Sequence, residues 1–244
     1  MRKTIAAAAL GLAVIASAAV QAADMPSYPP IDIPPVDYGL GGSFYLRGSL
    51  AVNGMWSKDS TYLDCPDSCD GPLPVVDDVV ENGYGYSFGA GFGYETGDGL
   101  RADVTLDYLQ NEGVETEAGY RLKLRSTLAL ANFYYDFPLG GYSSAAGGFG
   151  AYVGAGLGFA HNRVEEEGGA APGPDGKTFT AAGALMAGVT YDMGPIVGDL
   201  GWRGIYMPQI SNGEAALTPP AISPYYYNDN FIHELRGTLR YRLQ

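Results

Sequence analysis

The chain has few cysteines, few histidines and few basic residues. Its 244 residues include 2 Cys and 2 His, with 14 Lys and Arg against 27 Asp and Glu, for a net charge of −13. So strong a negative charge argues against a nucleic acid partner, because phosphate backbones bind basic surfaces. Two cysteines far from two histidines do not make a zinc-site pattern, and we predict no metal site and no cofactor.

Long apolar runs and helical periodicity are absent after the N-terminal segment. A basic N-terminus precedes an apolar run at 5–15, and small residues lead to Ala22. This layout predicts a cleaved secretory signal peptide over residues 1–22, because the run is short for a membrane-spanning helix of about 20 apolar residues. The next segment, 23–42, is rich in proline and does not alternate, which predicts an extended periplasmic leader. One folded domain then follows over 43–244.

Glycine, tyrosine and a two-residue period characterise this domain. The segment Tyr84–Tyr94 places aromatic side chains and Ala90 on one parity and glycine or serine on the other. Such a strand has one apolar face and one nearly empty face. Seven further segments alternate in a similar way, which predicts an all-β, eight-stranded antiparallel up-and-down barrel. The predicted strands are 44–56, 84–94, 100–110, 120–137, 149–162, 178–193, 196–206 and 231–243.

The connections between the predicted strands tend to alternate in length. The longer ones are 57–82, 111–119, 163–177 and 207–230. The shorter ones are 95–99, 138–148 and 194–195. Long loops at one end and short turns at the other are typical of transmembrane outer-membrane barrels, with the long loops extracellular and the short turns periplasmic.

The volume of an eight-stranded barrel decides which face points outward. Its interior is just wide enough for side chains to fill, whereas the apolar set supplies about five large groups per strand. We therefore expect the apolar set to face lipid and the polar, glycine-rich set to face the lumen. Aromatic residues near the strand ends predict two girdles at the membrane interfaces. These residues are Phe44, Trp56, Tyr84, Phe92, Tyr94, Tyr108, Tyr120, Phe149, Phe159, Phe179, Tyr191, Trp202, Tyr206, Phe231 and Tyr241.

Several segments carry a resemblance to a known family. They are the Ala-Asp start after the signal, the proline-rich segment 26–35, and the sequences FYLRG at 44–48, NFYYDF at 132–137 and LRYRL at 239–243. The chain resembles the small eight-stranded, OmpA-like outer-membrane barrels, and more specifically the porin-family outer-membrane proteins of alphaproteobacteria. The resemblance implies a Gram-negative outer membrane, contact with its lipid and lipopolysaccharide, and insertion by the barrel-assembly machinery.

Charged residues on the lumen parity are expected to pair between strands. Asp103 and Asp107 are predicted to face Arg121 and Arg125. The whole predicted network is Arg47, Asp103, Asp107, Arg121, Arg125, Asp199, Arg203, Glu234, Arg236 and Arg240. Because an isolated charge in a narrow lumen is costly to desolvate, we interpret this network as a plug that stiffens the barrel. The alternative is a narrow pore with a weak preference for anions, because bases outnumber acids in the set.

The predicted loops carry two further candidate features. Cys65 and Cys69 are near enough in sequence to form a small disulfide, which the periplasm permits. Acids gather in the first long loop and again at 112–117 and 165–167, without the spacing of a calcium loop. We expect a solvated acidic surface there. The sharper hypothesis is that these loops hold divalent cations shared with lipopolysaccharide phosphates.

An enzymatic function has little support in the sequence. His161 and His233 are the two histidines, both on the predicted lipid-facing parity, and neither has a serine two residues away. We therefore predict no catalytic residue. The leading hypothesis is a non-enzymatic integral outer-membrane protein that supports envelope integrity and presents surface loops. A small pore is the second hypothesis, and a lipid-modifying enzyme or an adhesin the third.

Overall fold

The computed structural model describes residues 42–64, 73–117, 120–139, 148–168, 176–211 and 225–243. Ten strands run through these ranges. They are β1 (Ser43–Trp56), β2 (Asp59–Asp64), β3 (Leu73–Glu81), β4 (Gly83–Glu95), β5 (Leu100–Thr116), β6 (Tyr120–Pro138), β7 (Gly148–Gly168), β8 (Gly176–Asp192), β9 (Ile196–Ser211) and β10 (Tyr225–Leu243). Within the described ranges, no helix is long and apolar enough to cross a membrane. The signal peptide and nearly all of the leader lie outside these ranges and stay predictions.

Eight of the strands form a closed antiparallel ring. The order around the ring is β1, β4, β5, β6, β7, β8, β9 and β10. The last strand closes on the first, from the pair Phe44 and Leu243 to the pair Trp56 and Phe231. A closed ring satisfies its backbone hydrogen bonds internally, as a lipid-embedded sheet must. The predicted eight-stranded barrel is confirmed.

The first predicted loop, 57–82, contains the two additional strands. β2 pairs with β10 and β3 pairs with β5, while β2 and β3 pair with each other. Because β1 ends at Trp56 and β4 begins at Gly83, the β2–β3 pair takes their places in the wall between β10 and β5. The prediction of a simple loop here is wrong, and the wall continues beyond the two short ring strands.

The other long connections are also shorter than predicted. β5 reaches Thr116 and β6 starts at Tyr120, while β7 reaches Gly168 and β9 reaches Ser211. We call this end of the barrel the extended end. The opposite end holds the connections β4–β5, β6–β7 and β8–β9, together with the start of β1 and the end of β10, and we call it the short-turn end.

Apolar side chains cover the outer face of the ring. Leu50, Val104 and Leu157 are 72%, 63% and 76% exposed, which is expected of groups that contact lipid. Aromatic rings gather at both ends of this face. At the short-turn end the ring centroids of Phe44 and Tyr94 are 5.0 Å apart, and those of Phe149 and Tyr191 are 4.8 Å apart. At the extended end the ring centroid of Phe231 lies 6.0 Å from that of Trp56 and 4.9 Å from that of Tyr206. All members of the predicted girdle lie on outer-face positions, apart from Tyr120, whose side chain is outside the described set.

The polarity of β6 is opposite to the prediction. Leu124 and Leu128 point into the barrel and are at most 1% exposed, whereas Arg121, Lys123 and Arg125 lie on the outer face. β6 is 19 residues long, and about 9–11 residues suffice for a strand to cross a membrane. Its first part therefore lies beyond the lipid, where water surrounds the wall and apolar side chains turn inward.

The ladder between β8 and β9 is shorter than the strands themselves. It runs from the pair Asp192 and Val197 to the pair Gly183 and Tyr206, although β9 continues to Ser211. Pro208 lies in that remaining part of β9 and has no amide hydrogen to donate to a ladder. The strands therefore lose their regular pairing toward the extended end.

Candidate functional site in the barrel interior

The inner face of β4 is nearly bare because side chains from other strands fill the space beside it. A Cβ added to Gly89 would lie 2.0 Å from the Oδ1 atom of Asp107. A Cβ added to Gly93 would lie 2.6 Å from the ring of Tyr45 and 2.5 Å from the carbonyl oxygen of Ala102. Glycine at these positions lets a narrow barrel hold large polar side chains.

Four charged side chains meet in the middle of the lumen. They are Asp107 on β5, Arg203 on β9, and Glu234 and Arg236 on β10, and we call them the quartet. Arg203 donates from Nη1 to Asp107 (2.8 Å) and from Nε to Glu234 (2.7 Å). Arg236 donates from Nη1 to Asp107 (2.8 Å) and from Nε to Glu234 (3.1 Å). The two contacts to Asp107 cross the barrel, because β5 is not a neighbour of β9 or β10 in the ring. Glu234 is bound from its own strand and from the adjacent β9.

The quartet is buried and electrically balanced. The side chains of Asp107 and Glu234 are 0% exposed, and those of Arg203 and Arg236 are 3% and 5% exposed. The hydroxyl of Ser87 donates a further hydrogen bond to Glu234 at 2.6 Å. Two carboxylates facing two guanidiniums leave no net charge, which lowers the cost of burying them. Among the described residues, the buried Nη2 atom of Arg203 has no hydrogen-bond partner.

A second polar cluster lies nearer the short-turn end. Arg47 donates from Nη1 to Asp103 (2.7 Å) and to the hydroxyl of Tyr134 (2.7 Å). Asp103 also accepts hydrogen bonds from the hydroxyl of Tyr45 (2.8 Å) and from the amide of Asn132 (2.8 Å). All five side chains are buried, so this cluster fills the lumen cross-section between β1, β5 and β6.

Arginines also occupy the mouth at the short-turn end. Arg101 binds Asp136 through two hydrogen bonds of 2.9 and 3.0 Å, and its guanidinium lies 4.0 Å from the ring centroid of Tyr134. Arg240 binds Asp199 through two hydrogen bonds of 3.0 Å each. A cavity of about 330 Å³ opens at this mouth, and no quartet residue lines it.

Toward the extended end the interior is apolar rather than polar. This region holds a cluster of buried residues, which we call the apolar plug. Its larger members include Met55, Leu109, Leu122, Leu124, Ile205, Met207, Ile210, Tyr227 and Ile232, each at most 1% exposed. Leu128 and Leu130 continue this cluster to the level of Asp107 and Thr105, their ladder partners. The expectation of a polar lumen is therefore wrong for this part. Beyond the lipid the barrel follows the pattern of a water-soluble protein, with its apolar groups inside.

The structure separates the predicted charge network into two groups. Arg121 and Arg125 lie on the outer wall near Glu115 and Glu165, so their predicted pairing with Asp103 and Asp107 inside the lumen is wrong. The interior members are Arg47, Asp103, Asp107, Asp199, Arg203, Glu234, Arg236 and Arg240. These eight contain equal numbers of acids and bases, so the argument for an anion-selective pore no longer holds.

The predicted network also lacks three polar side chains at the mouth of the short-turn end. Arg101, Asp136 and Tyr134 form the stacked cluster at the mouth. Arg101 has the same parity as Asp103 and Asp107, so the alternation alone predicts that it faces the lumen. Tyr134 shares the parity of Leu124 and Leu128, which the alternation predicts to face lipid, so the inverted polarity of β6 conceals it.

The remaining candidates are the two cysteines and the acidic segments. Cys65 and Cys69 are not among the described residues, so the disulfide stays a prediction. Glu112 pairs with Lys123 at 3.1 Å on the outer wall. Within the described ranges, no group of three or more His, Cys, Asp or Glu side chains is arranged to hold a metal ion. Divalent cations at the acidic segments also stay a prediction.

Known proteins are similar to this chain over most of its length. A family model described as an outer membrane protein beta-barrel domain matches residues 6–206. Uncharacterized proteins of Brucella abortus and Brucella melitensis are 31% identical over 285 aligned positions, covering 96% of this chain and 96% of theirs. Among solved structures, Neisserial surface protein A aligns with a TM-score of 0.46 and 21% identity, over 83% of this chain and 99% of its own. OprG of Pseudomonas aeruginosa aligns with a TM-score of 0.47 and 16% identity, over 83% of this chain and 97% of its own.

Proposed function

The chain belongs to the outer membrane protein beta-barrel domain family, and from this premise we propose that it is a non-enzymatic structural protein of the bacterial outer membrane with a sealed lumen. Its work is to reinforce the envelope and to present its extended end to the surroundings. The quartet is the observation that carries this proposal. Its four side chains reach across the lumen and bind one another at 2.7 to 3.1 Å, which favours a plug over a water-filled path.

The apolar plug supports the same conclusion by a different physical effect. Its side chains fill the interior beyond the quartet, and an apolar interior excludes ions because their desolvation is costly. A conducting path would have to cross both the quartet and this plug. A small pore, the second hypothesis, would therefore require both layers to rearrange.

The histidines give no support to an enzymatic role. His233 stacks on Trp202 at 5.8 Å on the outer face, and His161 is exposed on the same face. Among the described side chains, neither histidine has a hydrogen bond to a serine or an acid, which a hydrolytic triad would need. A non-enzymatic role remains the simplest reading of these positions.

The two ends of the barrel are proposed to have a fixed orientation. Outer-membrane barrels have short turns in the periplasm and longer connections outside the cell. We therefore place the short-turn end and both ends of the domain in the periplasm. The extended end, with β2, β3 and the elongated strands, would project from the cell surface.

Conductance in planar lipid bilayers tests the sealed lumen. We expect the purified full chain to insert without steady current steps, because the quartet and the apolar plug close the path. Arg236→Gln changes the quartet, and Arg163→Gln on the outer wall is the matched control. A steady wild-type conductance that changes with the substitution at Arg236 but not with that at Arg163 would contradict the proposal.

A further inference from the structure

The basic residues outside the lumen are concentrated on one patch of the outer wall. In the described ranges the other arginines lie in the interior or its mouth, and Lys58 is the one base found elsewhere. The patch lies on three adjacent strands near the extended end. Its members are Arg121, Lys123 and Arg125 on β6, Arg163 on β7 and Lys177 on β8. In a chain with 14 bases and 27 acids, this clustering calls for a physical explanation.

Three of these bases form a row across the strands. Arg125 lies directly opposite Arg163, and Arg163 lies directly opposite Lys177. Like charges placed directly opposite one another in a sheet repel. Among the side chains that the structure describes, the carboxylate between them is Glu165, which lies 2.6 Å from Arg125 and 3.3 Å from Arg163. Among the described side chains, the row therefore places three bases beside one carboxylate.

The row remains open to an external anion. The side chain of Arg163 is 50% exposed and that of Arg125 is 33% exposed. Lys177 is also exposed, and within the described part of the chain no carboxylate lies within 4 Å of its ammonium group. The neighbouring bases Lys123 and Arg121 each contact a separate carboxylate, Glu112 and Glu115, whereas Arg125 and Arg163 share Glu165.

The depth of the row matches that of lipid headgroups. The pair His161 and Phe179 lies two residues closer to the membrane centre on the same strands. Phe179 stacks on Phe159 at 5.3 Å in the girdle of the extended end. Two residues of a strand span about 7 Å, so the row lies just outside the aromatic girdle that marks the edge of the lipid.

We propose that Arg125, Arg163 and Lys177 bind the phosphates of lipid A, the phosphorylated glycolipid of the outer leaflet. Guanidinium groups bind phosphate oxygens through paired, charge-assisted hydrogen bonds, and an ammonium group adds a point charge. Phe159 and Phe179 would contact the acyl chains below. The assignment to the outer leaflet rests on the proposed orientation, with the extended end outside the cell.

Binding of lipid A to the purified full chain in detergent tests this site. The variant is the double substitution Arg163→Gln and Lys177→Gln, with Lys58→Gln as the matched control at an exposed base outside the row. Each base near an anionic surface contributes about 1 kcal/mol, so we expect binding of bisphosphorylated lipid A to weaken roughly 30-fold in the double variant. The control should bind as the wild type does. If the double variant lacks the heat-dependent gel shift of a folded barrel, the single variant Lys177→Gln replaces it in the binding measurement. Lys177 is exposed, so this substitution should leave the fold intact.

Three results would overturn the site. The first is unchanged lipid A affinity in these variants. The second is equal wild-type affinity for dephosphorylated lipid A, which would show that acyl chains alone drive binding. The third is displacement of lipid A by millimolar inorganic pyrophosphate, which would indicate a site for free phosphate. An epitope inserted between Gly168 and Gly176 tests the orientation separately, because antibody binding to intact cells does not depend on lipid affinity.

Discussion

Removing the charge of Asp107 should destabilise the barrel more than any exposed charge does. Asp107→Asn keeps the size of the side chain but replaces one acceptor oxygen with an amide that points hydrogens toward a guanidinium. Arg203 and Arg236 each donate to this carboxylate at 2.8 Å. Without its charge the quartet holds two buried cations and one anion, Glu234.

The magnitude follows from the burial of the carboxylate. Its side chain is 0% exposed, so solvent cannot replace the lost partner. Breaking a buried ion pair from one side typically costs about 3–5 kcal/mol, because the other charge stays buried without compensation. We expect the free energy of unfolding to fall by about that amount. The matched control is Glu112→Gln, whose side chain is 49% exposed, where the loss should stay below about 1 kcal/mol.

Urea unfolding in lipid vesicles, followed by the fluorescence of Trp56 and Trp202, measures these differences. Restoring neutrality supplies a second test. Arg203→Gln combined with Asp107→Asn leaves Glu234 and Arg236 as a neutral pair, so the double variant should lose less than the sum of the single variants, by about 0.5–3 kcal/mol. A loss below 1 kcal/mol for Asp107→Asn, or strict additivity in the double variant, would refute the argument that charge balance holds the quartet together.

Two further substitutions test the interior packing by the same unfolding measurement. Gly93→Ala should lower the free energy of unfolding by about 1–3 kcal/mol, because the new Cβ would lie 2.6 Å from the ring of Tyr45. Its control is Gly48→Ala on the outer face, where the new Cβ would have no atom within 4 Å and the free energy of unfolding should not change. Leu124→Ala in the apolar plug should lower the free energy of unfolding by about 2–5 kcal/mol. This loss should be markedly larger than that of Leu50→Ala on the lipid face. Equal losses within either pair would contradict the assigned faces.

The two-residue period was enough to predict the ring and most of its outer face. Tyr84–Tyr94 shows why, since its aromatic side chains face outward and its glycines leave room for Asp107 and Tyr45. Such a pattern indicates which face of the sheet each side chain occupies, and this depends only on neighbouring residues of the same strand. The period therefore predicts the barrel without any knowledge of which strands meet across it.

Partner choice inside the lumen depends on geometry that the sequence does not reveal. We predicted that Asp107 would pair with its neighbouring strand β6, yet its carboxylate binds β9 and β10 across the barrel. Strands tilt and stagger when a barrel closes, so the residue that a long side chain reaches is set by the stagger and the narrow diameter. Alternation alone contains neither quantity.

The error on β6 has a different cause. Successive side chains of β6 do alternate between the two faces of the wall, but the surroundings of the outer face change along the strand. Its outer face carries Phe133 and Tyr135 near the short-turn end and Arg121 and Arg125 near the extended end. A single rule that places apolar side chains outside holds only while lipid lies outside. The sequence marks that boundary weakly, because small or weakly polar residues within 126–131 reduce the contrast where the apolar side chains change parity.

Along the axis, the change of polarity gives the proposed sealed lumen two layers of different chemistry. The quartet and the Arg47 cluster lie at the level of the lipid, where the wall is apolar outside and the interior takes the polar groups. Most of the apolar plug lies beyond that level, where water surrounds the wall, while Leu128 and Leu130 continue it to the level of the quartet. Since the leucines of the plug do not depend on the charges of the quartet, Asp107→Asn should lower stability without opening a path for ions. Conductance and stability should therefore separate in this variant, which a pore gated by the quartet alone would not allow.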